Sequence, residues 1–291
     1  MRRTFYTLDV FTKERFTGNP LAVLPDGEGL DTAAMQAIAR EFNLSETVFV
    51  LPPSAPEHRA RLRIFTPARE LDFAGHPTVG TAVLLGRLDG GAAPDMILEE
   101  GIGPVPCAIE MRGAHGGWAR FQLPRLPTSS SNVAPVAAIA AALALEADDI
   151  GCEGMTPSSW SAGNPFTFVP VRGLDQIRRC RINEALMADG VGAAFVYCRA
   201  CVEPGHHFHA RMFAPGMGVR EDPATGSAVA AFAGLIAERL PDGAHELTIE
   251  QGYEMGRPSQ ISLSITIRDG KLASAAVGGD AVVVMEGSLE A

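Results

Sequence analysis

The strongest constraint on the fold of this chain is that its sequence is written twice. Gly18-Asn19-Pro20-Leu21-Ala22-Val23-Leu24 returns 145 residues later as Gly163-Asn164-Pro165-Phe166-Thr167-Phe168-Val169. Arg63-Ile64-Phe65-Thr66-Pro67 returns after 148 residues as Arg211-Met212-Phe213-Ala214-Pro215. His76-Pro77-Thr78-Val79-Gly80-Thr81-Ala82 is echoed after 146 residues by Asp222-Pro223-Ala224-Thr225-Gly226-Ser227-Ala228. Any one match is within the reach of chance. Three in the same order at a nearly constant offset argue for an internal duplication. A period near half of 291 residues means two repeated domains, because solenoid repeats run to only about 20–50 residues. The expected split is residues 1–125 and 126–279, with Leu123 to Asn132 as the linker.

Each half offers many short strands and one prominent apolar helix. In the first, Phe5 to Phe11, Leu21 to Leu24, Thr47 to Leu51 and Arg61 to Phe65 read as strands. Asp31 is placed to cap a helix carrying Met35, Ile38, Ala39 and Phe42 at helical spacing. A second helix is predicted from Pro77 to about Gly86, then short strands from Met96 to Leu123. In the second half, Thr167 to Val171, Ala193 to Cys198 and Phe208 to Phe213 read as strands, and Pro223 to Leu240 as a long helix. Leu247 to Glu250, Gln260 to Ile267, Leu272 to Val277 and Ala281 to Met285 complete the strands. The two apolar helices, around Ala82 to Leu85 and Ala228 to Ile236, lack a polar face and must be buried. A strand layer wrapped around each would bury it, which makes the fold class α+β.

Composition excludes several classes. The chain is 46% hydrophobic and 20% charged, against wholesale disorder. Its net charge of −10, with no long basic run, is a poor match to phosphate backbones or anionic lipid. No nucleic-acid or membrane partner is therefore expected. Val133 to Leu145 is the most apolar stretch, but it holds Pro135 and falls short of the about 20 residues a membrane helix needs. The N-terminus reads as a strand, since Thr4, Thr7 and Asp9 interrupt any signal-peptide core. Five cysteines, an odd number, fit reduced thiols and a cytoplasmic location.

Chemistry concentrates at the two helix starts. Proline favours the first helical turn and aspartate favours the N-cap, so His76-Pro77 and Asp222-Pro223 each read as an entry to a helix. Small residues follow both. Helix N-termini present unpaired N–H groups and partial positive charge, which a small carboxylate can approach closely. The same residues also fit plain caps, and local sequence alone leaves both readings open. The difference between His76 and Asp222 within similar copies suits asymmetric chemistry. Glu46 heads the apolar run Thr47 to Leu51; partial desolvation there would fit a carboxyl to proton transfer, and a simply solvated strand start is the alternative. Cys198, Cys201, His206, His207 and His209 look superficially like zinc ligands, but no second cysteine pair follows, and no metal is expected. Walker, dinucleotide and serine-elbow motifs are absent.

Taken together, Asp9-Val-Phe-Thr, Gly18 to Val23, Ala39 to Val50, Arg63 to Ala82, Arg211 to Ala228 and Gln251 to Ser259 resemble the phenazine biosynthesis (PhzF-like) isomerase family. The resemblance runs over nearly the whole chain. It implies a fold like that of diaminopimelate epimerase: two pseudo-symmetric domains, each a mostly antiparallel barrel around a central helix, with the active site between them. It further implies that a C-terminal strand from about residue 280 to 291 returns to the first domain, and a homodimer. The family's catalytic residues fall on Glu46, His76 and Asp222, and its substrate contacts on Gly75, Gly226 and Ser227. The implied reaction needs no cofactor: Glu46 moves a proton on a small cyclic or unsaturated carboxylic acid and shifts a double bond. The related epimerases use two thiols at these helix starts, and this chain has no cysteine there. A racemase or epimerase of another small acid, and a non-catalytic member binding a small acid or a protein, remain the alternatives.

Overall fold

The computed structural model describes residues 1–291. The chain divides into two compact units, Met1–Pro124 with Ala276–Ala291, and Arg125–Ala275.

The first unit contains β1 (Arg2–Val10), β2 (Asn19–Leu24), α1 (Thr32–Phe42), β3 (Glu46–Leu51), β4 (Ala60–Phe65), β5 (Glu70–Leu71), α2 (Gly75–Leu88), β6 (Asp95–Glu100), β7 (Gly103–Arg112) and β8 (Gly116–Gln122). The C-terminal strand Lys271–Glu290 pairs with both β1 and β8. With the ladders β1–β2, β2–β3, β3–β4, β4–β6, β6–β7 and β7–β8, it closes an eight-stranded ring. Only β2–β3 and β4–β6 are parallel, and these are the two steps that α1 and α2 cross over.

Helix α2 lies inside the ring. Every residue from Gly75 to Gly86 is buried, as a helix without a polar face requires. Gly80 allows the close approach: a Cβ there would stand 2.6 Å from Leu21 Cδ2 and 2.7 Å from Val10 Cγ2. Helix α1 covers the outside. The Asp31 carboxylate accepts the Ala34 N–H at 2.8 Å as its N-cap, and Met35 and Ala39 pack on Leu24, Phe49 and Phe65.

The second unit repeats the plan. It contains β9 (Thr128–Ser130), α3 (Val136–Leu143), β10 (Ser158–Ser161), β11 (Pro165–Pro170), α4 (Leu174–Arg179), α5 (Glu184–Leu186), β12 (Ala194–Cys198), β13 (Phe208–Ala214), β14 (Val219–Asp222), α6 (Gly226–Ala237), β15 (Gly243–Gln251), β16 (Ser259–Arg268) and the first residues of β17 (Lys271–Glu290). Its ladders run β9–β10–β11–β12–β13–β15–β16, with β14 added to β13. The parallel steps recur at the same places, β11–β12 and β13–β15. Strand β12 shows why its sequence is an unbroken apolar run. Ala194, Val196 and Cys198 face an outer cluster with Ile139, Leu143 and Ile177. Phe195 and Tyr197 alternate to the other face, where their rings meet Phe232 of α6 at 5.7 and 4.9 Å. Phe168 and Phe208 complete that aromatic shell at 5.5 and 5.0 Å.

The apolar stretch from Val133 to Leu145 contains α3, which buries Ile139 and Leu143. One sequence expectation changes. Leu272 to Val277 and Ala281 to Met285 are not two strands but parts of one, β17. The intervening Gly278 marks close packing instead of a turn, since a Cβ there would stand 2.8 Å from the Ala119 carbonyl. No helix is long and apolar enough to cross a membrane.

Candidate active site

The helix starts differ from the sequence expectation. Helix α2 begins at Gly75, before Pro77, with Ala74 as its N-cap residue. Helix α6 begins at Gly226, after Pro223, with Thr225 as its N-cap residue, and ends at Ala237. The first helical bonds agree, Thr78 N–H to the Ala74 carbonyl and Val229 N–H to the Thr225 carbonyl. Gly75 is therefore the counterpart of Gly226, and His76 of Ser227. Asp222 is not an N-cap; it ends β14, where β5 ends in Leu71. The resemblance of His76-Pro77 to Asp222-Pro223 comes from prolines and small residues that suit any helix entry, and it does not follow the backbone.

In the first unit, three elements bring three side chains together. The parallel ladder of β2 and β3 sets Leu21 opposite Glu46, so Asn19 and Glu46 stand at the same end of neighbouring strands. His76, one residue into α2, lies between them. Its Nε2 is 3.3 Å from Glu46 Oε2, and Asn19 Nδ2 lies 3.3 Å from its Nδ1. His76 is 3% exposed and Asn19 fully buried. Burial holds the imidazole pKa down at about 3, so His76 is neutral at physiological pH. With the Asn19 amide donating to Nδ1, the ring proton sits on Nε2 and faces Glu46. Asn19 was legible in the sequence only as part of the repeated Gly-Asn-Pro.

In the second unit, the Asp222 carboxylate accepts the Thr225 hydroxyl at 2.5 Å. Gln251 ties this turn down. Its Nε2 donates to the Asp222 carbonyl at 2.7 Å and to Thr225 Oγ1 at 3.0 Å, and its Oε1 accepts the Thr225 N–H at 3.1 Å. Gly226 is buried and Ser227 half-buried at the head of α6. Neither N-cap residue caps its helix with its own side chain. The first turns therefore retain backbone N–H groups of the kind that bind a carboxylate.

The cysteine and histidine segment is organised around a carboxylate. Glu250, fully buried, accepts the N–H groups of Val202 and Glu203 together with Nδ1–H of His206 and of His209. His209 Nε2 lies 3.1 Å from Glu254. These bonds hold the Glu250 pKa down at about 2 and raise that of His209. Cys198 bonds the Ala200 carbonyl, and the other four thiols are likewise free of disulfides.

Comparison with known proteins supplies the family. Residues 8–287 match the model of the phenazine biosynthesis-like proteins. The chain is 50% identical to an uncharacterized isomerase of Mesorhizobium japonicum, over 99% of this chain and 98% of the relative. It is 35% identical to the trans-2,3-dihydro-3-hydroxyanthranilate isomerase of Pseudomonas aeruginosa, over 97% and 98%. The crystal structure of a PhzF-family phenazine biosynthesis protein of Bacillus anthracis superposes with a TM-score of 0.89 at 27% identity, covering both chains fully. The repeated barrels, the central helices and these full-length matches agree: the chain belongs to the phenazine biosynthesis PhzF-like family of isomerases.

Proposed function

We propose that this isomerase moves a proton along a small cyclic or unsaturated carboxylic acid, with Glu46 as general acid and base and no cofactor. The observation that carries the reading is the Glu46–His76 pair, 3.3 Å apart, with His76 buried and neutral. Glu46 as carboxylate takes a proton from an sp3 carbon beside the double bond. The electron pair shifts along the allyl unit, and the Glu46 carboxylic acid returns the proton to its far end. His76 holds its Nε2 3.3 Å from Oε2, near enough for its N–H to support the carboxyl through both transfers. A contact of 3.3 Å in the unliganded site is of the kind that tightens with substrate.

Gly75, Gly226 and Ser227 supply helix-start N–H groups and a hydroxyl for the substrate carboxylate, and Asp222 hydrogen-bonds a ring substituent. These roles, and a homodimeric assembly, follow the family resemblance. The helix starts carry His76 and Ser227 in place of thiols, which favours one-carboxyl proton transfer over two-thiol racemisation.

The dihydro-hydroxyanthranilate substrate of the Pseudomonas relative is the natural first probe. Incubation in deuterated water, followed by NMR, should show one deuterium at the terminus of a shifted double bond. An unshifted product, deuterated at the carbon that lost its proton, would point to epimerisation instead. Sedimentation would establish the assembly.

A further inference from the structure

Strand β6 sets Glu99 opposite Arg61 of β4, and β15 sets Glu250 opposite His209 of β13. The next residue in each strand is Glu100 in one half and Gln251 in the other, so these two are counterparts. Both reach the start of their half's central helix. Gln251 holds Thr225, the N-cap residue of α6, by donating from its amide and accepting at its oxygen. Glu100, 7% exposed, lies 2.7 Å from the hydroxyl of Thr78 in α2 and faces the N–H of Ala74.

The Thr78 hydroxyl links the Glu100 carboxyl to the start of the helix. Its oxygen lies 2.7 Å from Glu100 Oε1 and equally 2.7 Å from the Ala74 carbonyl. A hydroxyl has one proton. If it donates to the carbonyl, two acceptors meet at Glu100 unless the carboxyl brings a proton of its own. A neutral Glu100 satisfies both contacts, donating to Thr78 while Thr78 donates to Ala74. That donor is what the Gln251 amide provides in the other half.

We propose that Glu100 is a positioning residue, a neutral carboxylic acid whose O–H holds the first turn of α2 and with it Gly75 and His76. The functional consequence rests on the reading of that turn as part of the active site. Burial pushes the Glu100 pKa up to about 8, opposed only by the Thr78 hydroxyl and the Ala74 N–H. From β7 the Cys107 thiol faces it, itself pushed up by burial and by the Glu100 charge. On the other side Glu100 lines a cavity of about 750 Å³ shared with Glu28, Arg61, Arg63, Glu70 and Glu99. Arg63 there is committed to Glu70 at 2.6 Å. Ionisation removes the donor, draws the Thr78 hydroxyl off the Ala74 carbonyl, and puts negative charge at a helix start that is to receive a carboxylate.

The test compares wild type, Glu100→Gln and Glu46→Gln. Infrared difference spectra of the wild type at pH 7 should show the carbonyl band of a buried protonated carboxylic acid, absent in Glu100→Gln. Wild-type exchange of substrate hydrogen should fall about tenfold per pH unit above about 8. Glu100→Gln, which keeps donor and acceptor, should exchange within about threefold of wild type at pH 7 and stay level to about pH 9.5. A wild type without the band, or a variant with the same alkaline fall, overturns the proposal. If instead Glu46→Gln exchanges like wild type, the assignment of the active site fails, and the infrared band still decides the state of Glu100.

Discussion

Glu99 and Glu250 do the same work in the two halves of the chain. Glu99 accepts the N–H groups of Ser54 and Ala55 and the Nδ1–H of His58. Glu250 accepts those of Val202 and Glu203 and the Nδ1–H of His206. In both, two successive amides and a histidine three residues further on clamp the loop between the third and fourth strands of the repeat to a parallel neighbour. The duplication thus preserves a polar staple that sequence comparison did not show. His206 and His209, two of the residues that resemble zinc ligands, bond Glu250, whereas His207 accepts the Thr248 N–H.

This staple makes stability depend on acid. The Glu250 pKa is lowered from 4.5 to about 2, so its contribution is complete above about pH 4.5 and is lost as pH falls toward 2. Glu250→Gln should cost about 3 kcal/mol at pH 7, because it removes the carboxylate that accepts two backbone N–H groups and two imidazoles. The cost should shrink toward pH 2. Urea unfolding followed across that range measures it.

The aromatic shell around α6 makes a second prediction. Phe232 is fully buried among Phe168, Phe195, Tyr197 and Phe208. Phe232→Ala should destabilise the protein by about 3–5 kcal/mol through lost burial and the cavity left behind. Calorimetric unfolding of the variant checks the value, and a loss below about 1 kcal/mol would mean the shell collapses onto the gap.

His76 should contribute no limb to the pH profile of exchange between about pH 5 and 8, being neutral throughout. Its folded pKa of about 3 lies below its usual 6.5. The unfolded chain therefore takes up the proton first, and stability falls as pH drops from 6.5 toward 3. His76→Asn should remove that share of the acid sensitivity while lowering exchange. NMR titration of the imidazole in the folded protein reads the pKa directly.

Asn19 should matter through His76. Asn19→Ala removes the amide that donates to Nδ1 and frees the ring to place its proton there, turning a lone pair toward Glu46. Exchange should fall by about 10- to 100-fold in turnover, with little change in the half-saturating substrate concentration. Asn19→Asp, an acceptor at both oxygens, should not rescue it. An unchanged turnover in Asn19→Ala would remove Asn19 from the site.

The fold was legible where one residue type carries one physical meaning. Apolar helices without a polar face required an enclosing layer, and the repeats gave two of them. Helix registration was not legible, because Pro77 and Pro223 mark an entry without saying whether the helix begins before or after it. Glu46, His76 and Asp222 stood out at a strand start and at two proline-marked helix entries, and the resemblance gave them and Ser227 their roles; the structure brings Glu46 and His76 together while giving Asp222 a turn in place of a cap. Nothing in the sequence set Glu99 apart from Glu100 within the strands read from Met96 to Leu123. Strand alternation sends one to a loop and the other to the start of α2, and only coordinates reveal which neighbour each meets. Asn19 and Gln251 stood inside the repeated and family-like segments, but their hydrogen-bond partners lie on other elements and were not legible.

The most direct test of the account is hydrogen exchange by Glu46→Gln. In deuterated water, with dihydro-hydroxyanthranilate, the wild type should incorporate deuterium as the double bond shifts. Glu46→Gln, folded as shown by an unchanged circular dichroism spectrum, should lose at least about 1,000-fold in that rate, in keeping with removal of a general base. Incorporation at the wild-type rate by Glu46→Gln would contradict the assignment of Glu46 as the residue that carries the proton.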